Sequence, residues 1–126
     1  MVKRNIVAIG GGGFGRSLGK LKIERYIASL SSKDRPKICF IPTASGDNDL
    51  YKLNFYRAFS QLNCRTSHLD LFARTYDLEN AILDQDIVYV GGGNTKSMRA
   101  VWKEWNLDNI LRNAYKKGII MSGVSA

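Results

Sequence analysis

Short, continuously apolar runs alternate with helix-like segments along this chain, and that alternation restricts the fold more than any other feature of the sequence. Five runs predict strands, over residues 5–10, 37–41, 66–71, 86–90 and 119–123. Helices are predicted between them, over about 20–32, 50–62, 77–83, 95–102 and 107–117. Strands that are apolar throughout are typical of a parallel sheet covered by helices on both faces. The sequence therefore predicts a single α/β domain over residues 1–126.

The spacing of apolar residues also predicts which face of each of the first two helices meets the core. Residues three or four positions apart lie on one side of a helix. For the first helix these are Leu21, Tyr26, Ile27 and Leu30, and for the second Leu50, Leu53, Tyr56 and Phe59.

Composition is that of an ordinary globular protein, and because Ile6–Ile9 is too short for a signal-peptide core we expect a cytoplasmic location. Of the 126 residues, 44% are hydrophobic and the apolar runs are too short to span a bilayer, so we expect no membrane association. The net charge of +8 is spread over several elements, which favours a solvated surface over a nucleic-acid site. Cys39 and Cys64 are expected to be buried thiols, and their spacing predicts no metal site.

Three unusual sequences stand at predicted strand ends: Gly10–Gly15, Gly91–Thr95 and Gly123–Ala126. In an open parallel sheet, ligands bind outside the carboxyl ends of the strands. We therefore expect these three segments to share one site.

The first segment matches the dinucleotide fingerprint G-x-G-x-x-G as Gly10, Gly12 and Gly15. However, the second strand ends in Ile41-Pro42-Thr43, without an acidic residue for a ribose. The helix is also predicted to begin near Lys20, which leaves a long loop. The segment is interpreted as a glycine loop beside an active site, with cofactor binding as the alternative.

The second segment, Gly91-Gly92-Gly93-Asn94-Thr95, has two interpretations. Glycines allow the backbone to bend sharply and point N–H groups at a developing oxyanion. Alternatively, the segment is a plain strand-to-helix turn in which Asn94 caps the helix.

The third segment, Gly123-Val124-Ser125-Ala126, matches the nucleophile elbow G-x-S-x-G up to the residue before the closing glycine. Such a serine needs small neighbours because its turn is strained and its hydroxyl must project from the backbone. Gly123 and Ala126 are small, and the Ala126 N–H is a candidate oxyanion donor. The alternative is a chance occurrence of G-x-S.

Together these residues resemble the peptidase E (aspartyl dipeptidase) family of serine peptidases, family S51, in its glycine-rich Bacillus-type branch. The resemblance is carried by Gly91–Thr95, the Trp102–Trp105 segment, Leu107-Asp108 and Gly118–Ala126. Ile41–Gly46 and the opening Gly10–Gly15 loop resemble the amino-terminal half of the same family.

The resemblance implies a class I glutamine-amidotransferase-like fold, flavodoxin-like with three layers, and cleavage of short peptides with an amino-terminal Asp. It implies that Ser125 is the nucleophile, with Gly92, Gly93, Asn94 and Ala126 in the oxyanion and substrate-binding region. No cofactor and no metal are implied.

The family's catalytic histidine and acidic residue lie downstream of the elbow, so we expect this chain to be an incomplete form of the fold and inactive alone. Its one histidine, His68, falls in the third strand and is interpreted as an incidental polar residue. A serine hydroxyl is a weak nucleophile without a neighbouring base. The alternative is a non-catalytic fragment or binding module, and exposed apolar faces would favour a homo-oligomer or another partner.

Overall fold

The computed structural model describes residues 2–15, 19–73 and 77–126 and is built around a five-stranded sheet. Residues 16–18 of the predicted glycine loop lie outside the described residues. The strands are β1 Ile6–Ile9, β2 Lys37–Ile41, β3 Arg65–His68, β4 Ile87–Val90 and β5 Ile120–Val124, and the helices are α1 Lys22–Ser29, α2 Asp49–Ser60, α3 Leu78–Leu83, α4 Thr95–Glu104 and α5 Leu107–Lys116.

All neighbouring strands of the sheet are parallel, in the order β1-β5-β4-β2-β3. In β1 and β5, Ile9 lies opposite Val124, and in β4 and β5, Val90 lies opposite Gly123. The carboxyl ends of β1, β4 and β5 therefore lie side by side at one edge of the sheet.

Helices cover both faces of the sheet, as the sequence predicts. On one face, Ile27 of α1 and Phe55 and Phe59 of α2 pack against Phe40 and Tyr89 of the strands. On the other face, residues of α3 and α5 pack against β2 and β4, including Ile82, Leu107, Leu111, Cys39 and Val88. The three-layer α/β prediction is confirmed.

The predicted apolar faces of the first two helices are partly wrong. In α2 the predicted core residue Phe59 is buried, but Leu50 and Leu53 are 63% and 46% exposed, because the helix turns Phe55 and Ala58 toward the sheet in their place. The large rings of Phe55 and Phe59 bury more apolar surface than the leucines would. In α1 the predicted core residue Tyr26 is exposed, and Glu24 is buried beside Ile27.

The first and third strands differ from the predicted buried pattern because they form the two edges of the described sheet. Each has one neighbouring strand, so part of its surface faces solvent. Ile6 of β1 is 66% exposed, and all four residues of β3 are at least partly exposed. The third strand also ends at His68, three residues before its predicted end.

Several predicted helix boundaries are confirmed by their caps. The Asp77 carboxylate accepts the Asn80 N–H at 3.1 Å and begins α3. After α5, Gly118 adopts a φ of +91°, a left-handed conformation that glycine tolerates and that ends the helix.

Both cysteines are free and buried, as expected. Burial raises the pKa of the Cys39 thiol to about 12, although a hydrogen bond with Ser67 acts in the opposite direction. Among the described helices, none has the length and apolar character needed to cross a membrane.

Asp86, just before β4, contacts Lys33 and the first residue of β2, and its carboxylate contributes a pH-dependent part of the stability. It lies 2.7 Å from Lys33 Nζ and accepts the Lys37 backbone N–H at 2.8 Å. Burial raises the pKa of this carboxyl, but the interactions with Lys33 and Lys37 outweigh it, and the pKa falls below its ordinary 3.8. A lowered pKa stabilises the fold at higher pH, and the contribution is lost as the pH falls through the folded-state pKa.

We therefore expect Asp86→Asn to lower the free energy of unfolding by about 1–2 kcal/mol at pH 7 and by less as the pH approaches 2, measured by urea unfolding. Asp84→Asn is the matched control, because Asp84 pairs with Lys37 Nζ but its side chain is 73% exposed. Its effect should stay below about 0.5 kcal/mol. An equal loss from Asp86→Asn at both pH values would contradict the assignment.

Candidate active site

Residues from the three segments Gly10–Gly15, Gly91–Thr95 and Gly123–Ala126 meet in one cleft at the carboxyl ends of the strands, as the sequence predicts. The cleft has a volume of about 280 Å³. Its lining includes glycines 10, 11, 12 and 15 of the first loop, Gly92 and Gly93 of the second, and Val124 and Ser125.

Ser125 stands directly after β5 in a left-handed conformation, with a φ of +63°. Its N–H donates to the Ile9 carbonyl at 2.9 Å, which continues the pairing of β5 with β1. A left-handed φ is uncommon for a residue other than glycine, and strain of this kind is typical of functional turns. The geometry agrees with the sharp turn of a nucleophile elbow, and the side chain is exposed on the cleft.

Gly92 and Gly93 bring the second loop close to Ser125. A Cβ on Gly92 would lie 3.3 Å from the Ser125 Cβ and 3.2 Å from the Val124 carbonyl oxygen. Gly93 has a φ of +146°, and a Cβ there would lie 2.2 Å from the Ala44 carbonyl oxygen. The loop is thus held between the elbow on one side and a single 3₁₀ turn, Thr43–Ser45, on the other.

Asn94 and Ala126 do not line this cleft. The Asn94 side chain accepts the Ser97 N–H at 2.8 Å and caps α4, which is the structural alternative for this residue. The Ala126 N–H donates to the Val124 carbonyl at 2.8 Å. Roles for these two residues in substrate or oxyanion binding remain predictions.

Tyr51 is a cleft residue that the sequence analysis missed. Its hydroxyl accepts the Gly92 N–H at 3.1 Å. It lies in the first turn of α2, which begins at the carboxyl end of β2 and is capped by the Asn48 side chain. The sequence signal for Tyr51 is its spacing, because residues 51, 55, 58 and 59 recur at helical intervals. Phe55, Ala58 and Phe59 are buried and Tyr51 is partly buried against them, whereas the prediction chose the face of Leu50, Leu53, Tyr56 and Phe59.

The described residues that line the cleft provide no base for Ser125. Among these described residues, Tyr51 is the one titratable side chain. His68 stands on β3, three strands away from β5, which corresponds to roughly 14 Å at the usual strand spacing. Its imidazole instead contacts the Tyr56 hydroxyl at 2.6 Å and Asp70 at 3.3 Å.

The first glycine loop is anchored in the core on the α1 side. Phe14 is buried, and its N–H donates to the buried Glu24 carboxylate at 3.1 Å. Helix α1 begins only at Lys22, seven residues after Gly15. A dinucleotide fingerprint needs its helix to begin within the motif, so this geometry disfavours the cofactor alternative.

A metal site is equally unsupported in the part of the chain that the structure describes. There, no group of three or more His, Cys, Asp or Glu side chains comes close enough to hold an ion.

Comparisons with known proteins show the family and the fold of the chain. The model of peptidase family S51 matches residues 6–126. The uncharacterised peptidase YgaJ of Bacillus subtilis (strain 168) is 47% identical over 124 residues, which are 98% of this chain and 54% of the relative. The chain thus spans about half the length of the curated relative it matches.

Two solved structures share the fold. A Listeria monocytogenes EGD-e protein named for peptidase E superposes with a TM-score of 0.74 at 20% identity, over 97% of this chain and 58% of the other. A peptidase from an acI-B1 Actinobacterium gives a TM-score of 0.79 at 16% identity, over 97% and 54%. Both similarities extend over nearly all of the present chain.

Proposed function

Because the chain belongs to peptidase family S51, we propose that it contributes the serine nucleophile of a peptidase that cleaves short peptides, with Asp-X dipeptides as preferred substrates. The observation that carries the proposal is the left-handed Ser125 at the tip of β5, in a cleft lined by the backbones of two glycine loops. A nucleophile needs this exposure, and a developing oxyanion needs backbone N–H donors nearby.

In the proposed reaction, Ser125 Oγ bonds to the carbonyl carbon of the scissile peptide while its proton passes to a base. The C–N bond then breaks, the amine leaves with that proton, and an acyl-enzyme remains. Water hydrolyses the ester and restores the serine. The loop that contains Gly92 and Gly93, together with Ala126, is proposed as the region that surrounds the oxyanion.

We further propose that residues 1–126 are inactive by themselves. The described cleft lining has no histidine or carboxylate, and His68 is roughly 14 Å from β5. The relatives are about twice as long as this chain. In this proposal the base for Ser125 comes from outside the residues that the structure describes.

The test uses the full-length gene product and the 126-residue chain in parallel. Each is incubated with Asp-Leu and, as the matched control substrate, Asn-Leu, and the released amino acid is measured. We expect the full-length product to release aspartate from Asp-Leu and to cleave Asn-Leu far more slowly. We expect the 126-residue chain to cleave neither dipeptide. A folded full-length product that releases no aspartate would contradict the proposed substrate.

A non-catalytic binding module is the second candidate, favoured by the absence of a base from the described cleft and by exposed apolar side chains. Ile6, Tyr26 and Phe72 are each more than half exposed, which favours self-association or a partner. This candidate predicts no hydrolysis by the full-length product. The two free, buried thiols support a cytoplasmic location for either function.

A further inference from the structure

The ring of Tyr51 lies between the two glycine loops of the cleft and leaves no room for a side chain at Gly15 of the first loop or at Gly91 of the second. A Cβ on Gly15 would lie 2.6 Å from the Tyr51 ring, and a Cβ on Gly91 would lie 2.9 Å from its opposite edge. Real Cβ atoms do not approach ring carbons this closely. Glycine at both positions therefore permits one tyrosine to contact the loop after β1 and the loop after β4 together.

The remaining contacts hold the ring in one orientation. Its centroid lies 4.9 Å from that of Phe40 and 5.6 Å from that of Phe14, both buried in the core under the sheet's α1–α2 face. Aromatic pairs at these separations are favourable beyond their buried area. These ring contacts therefore hold the tyrosine hydroxyl in a fixed position at the cleft.

At the cleft, that hydroxyl uses a lone pair to accept the Gly92 N–H at 3.1 Å. Gly92 is the loop residue nearest the elbow, with its Cβ position 3.3 Å from the Ser125 Cβ. The Gly92 N–H is therefore already occupied. The next N–H along the loop, that of Gly93, has no hydrogen-bond partner among the described residues.

We propose that Tyr51 is a positioning residue of the active site: by binding the Gly92 N–H, it fixes the second glycine loop so that the Gly93 N–H is the loop's donor to the oxyanion formed on Ser125. The proposal rests on the proposed peptidase function. Tyr51 acts through the loop and does not itself need to contact the substrate.

A neutral hydroxyl suits this role, because a tyrosinate would repel an oxyanion nearby. Burial raises the pKa of Tyr51, and this outweighs the hydrogen bond from Gly92, which acts to lower it. The hydroxyl therefore stays protonated across the neutral pH range.

The test is Tyr51→Phe in the full-length gene product, with Tyr56→Phe as the matched control. Both tyrosines lie on α2, and each substitution removes one hydroxyl hydrogen bond, but the Tyr56 hydroxyl contacts His68, outside the cleft. We expect Tyr51→Phe to lower kcat for Asp-Leu about 10- to 100-fold, the cost of a displaced catalytic group. KM should stay within about twofold, and Tyr56→Phe should leave both constants within about twofold.

A second measurement reads the hydrogen bond directly. In ¹⁵N-labelled protein, Tyr51→Phe should move the Gly92 amide proton upfield and accelerate its exchange with solvent about tenfold or more, whereas Tyr56→Phe should not. An unchanged kcat or an unchanged Gly92 amide would overturn the role of Tyr51 while the peptidase function stands. A folded wild-type protein that cleaves no peptide would overturn the function and the catalytic role together, and the amide would still report whether the hydrogen bond exists.

Discussion

Replacing Ser125 with alanine is expected to lower peptide hydrolysis by the full-length gene product at least about 10³-fold, because no acyl-enzyme can form without the hydroxyl. The variant should fold normally. Alanine is no more hindered than serine at the left-handed φ of +63°, and the Ser125 backbone N–H can still bind Ile9. Hydrolysis of Asp-Leu and labelling by a fluorophosphonate probe, located by mass spectrometry, measure the effect.

Ser122→Ala is the matched control on the same strand. Ser122 is buried on β5, and its hydroxyl donates to the Val88 carbonyl at 2.9 Å, away from the cleft. Its loss should cost about 1 kcal/mol of stability and leave kcat within a few fold. If Ser125→Ala retained wild-type hydrolysis, Ser125 would have no place in the mechanism.

Replacing Gly93 with alanine is expected to be among the most destabilising single substitutions in the chain. The new Cβ would lie 2.2 Å from the Ala44 carbonyl oxygen and 2.4 Å from its carbon, and both are backbone atoms that a rotamer change cannot move. The φ of +146° adds strain for any side chain. We expect a loss of about 3–5 kcal/mol in the free energy of unfolding, measured by urea denaturation.

Gly11→Ala separates this clash from the general effect of removing a glycine. Gly11 lies in the loop after β1, and a Cβ there would have no atom within 4 Å. Its substitution should change the free energy of unfolding by less than about 1 kcal/mol. Equal stabilities for the two variants would show that the Thr43–Ser45 turn moves aside and that the loop is less tightly held than its contacts indicate.

The order of strands and helices could be predicted because each element carries a local signal. Apolar runs mark β2 and β4, Asp77 caps α3, and Gly118 ends α5. It could also be predicted that the segments after β1, β4 and β5 meet, because all strands of a parallel sheet point the same way. Family membership, and with it the fold, was predictable because the pair of motifs after β4 and β5 is specific, whereas the opening glycines alone are not.

The helix faces and the role of Tyr51 could not be predicted, because both depend on contacts between distant parts of the chain. In α2, leucines at 50 and 53 and aromatic residues at 51 and 55 all fit a helical period, and only packing against the sheet selects between them. Tyr51 approaches Gly15 and Gly92, which are 36 and 41 positions away. No local sequence pattern predicts a contact between residues so far apart in the chain.

The pairing of β1 with β5 has a consequence for synthesis of the protein. Ile6 lies opposite Met121, so β1, which is synthesised before the other described strands, finds its place in the sheet only after β5 has emerged from the ribosome. Until then, β1 has no neighbour, and its apolar residues stay available to chaperones or to other nascent chains. Because β1 and β5 are far apart in the sequence, we expect their pairing to make folding slow relative to helical proteins of similar size. Ser125, which directly follows β5, is therefore among the last residues of the cleft to reach its folded position.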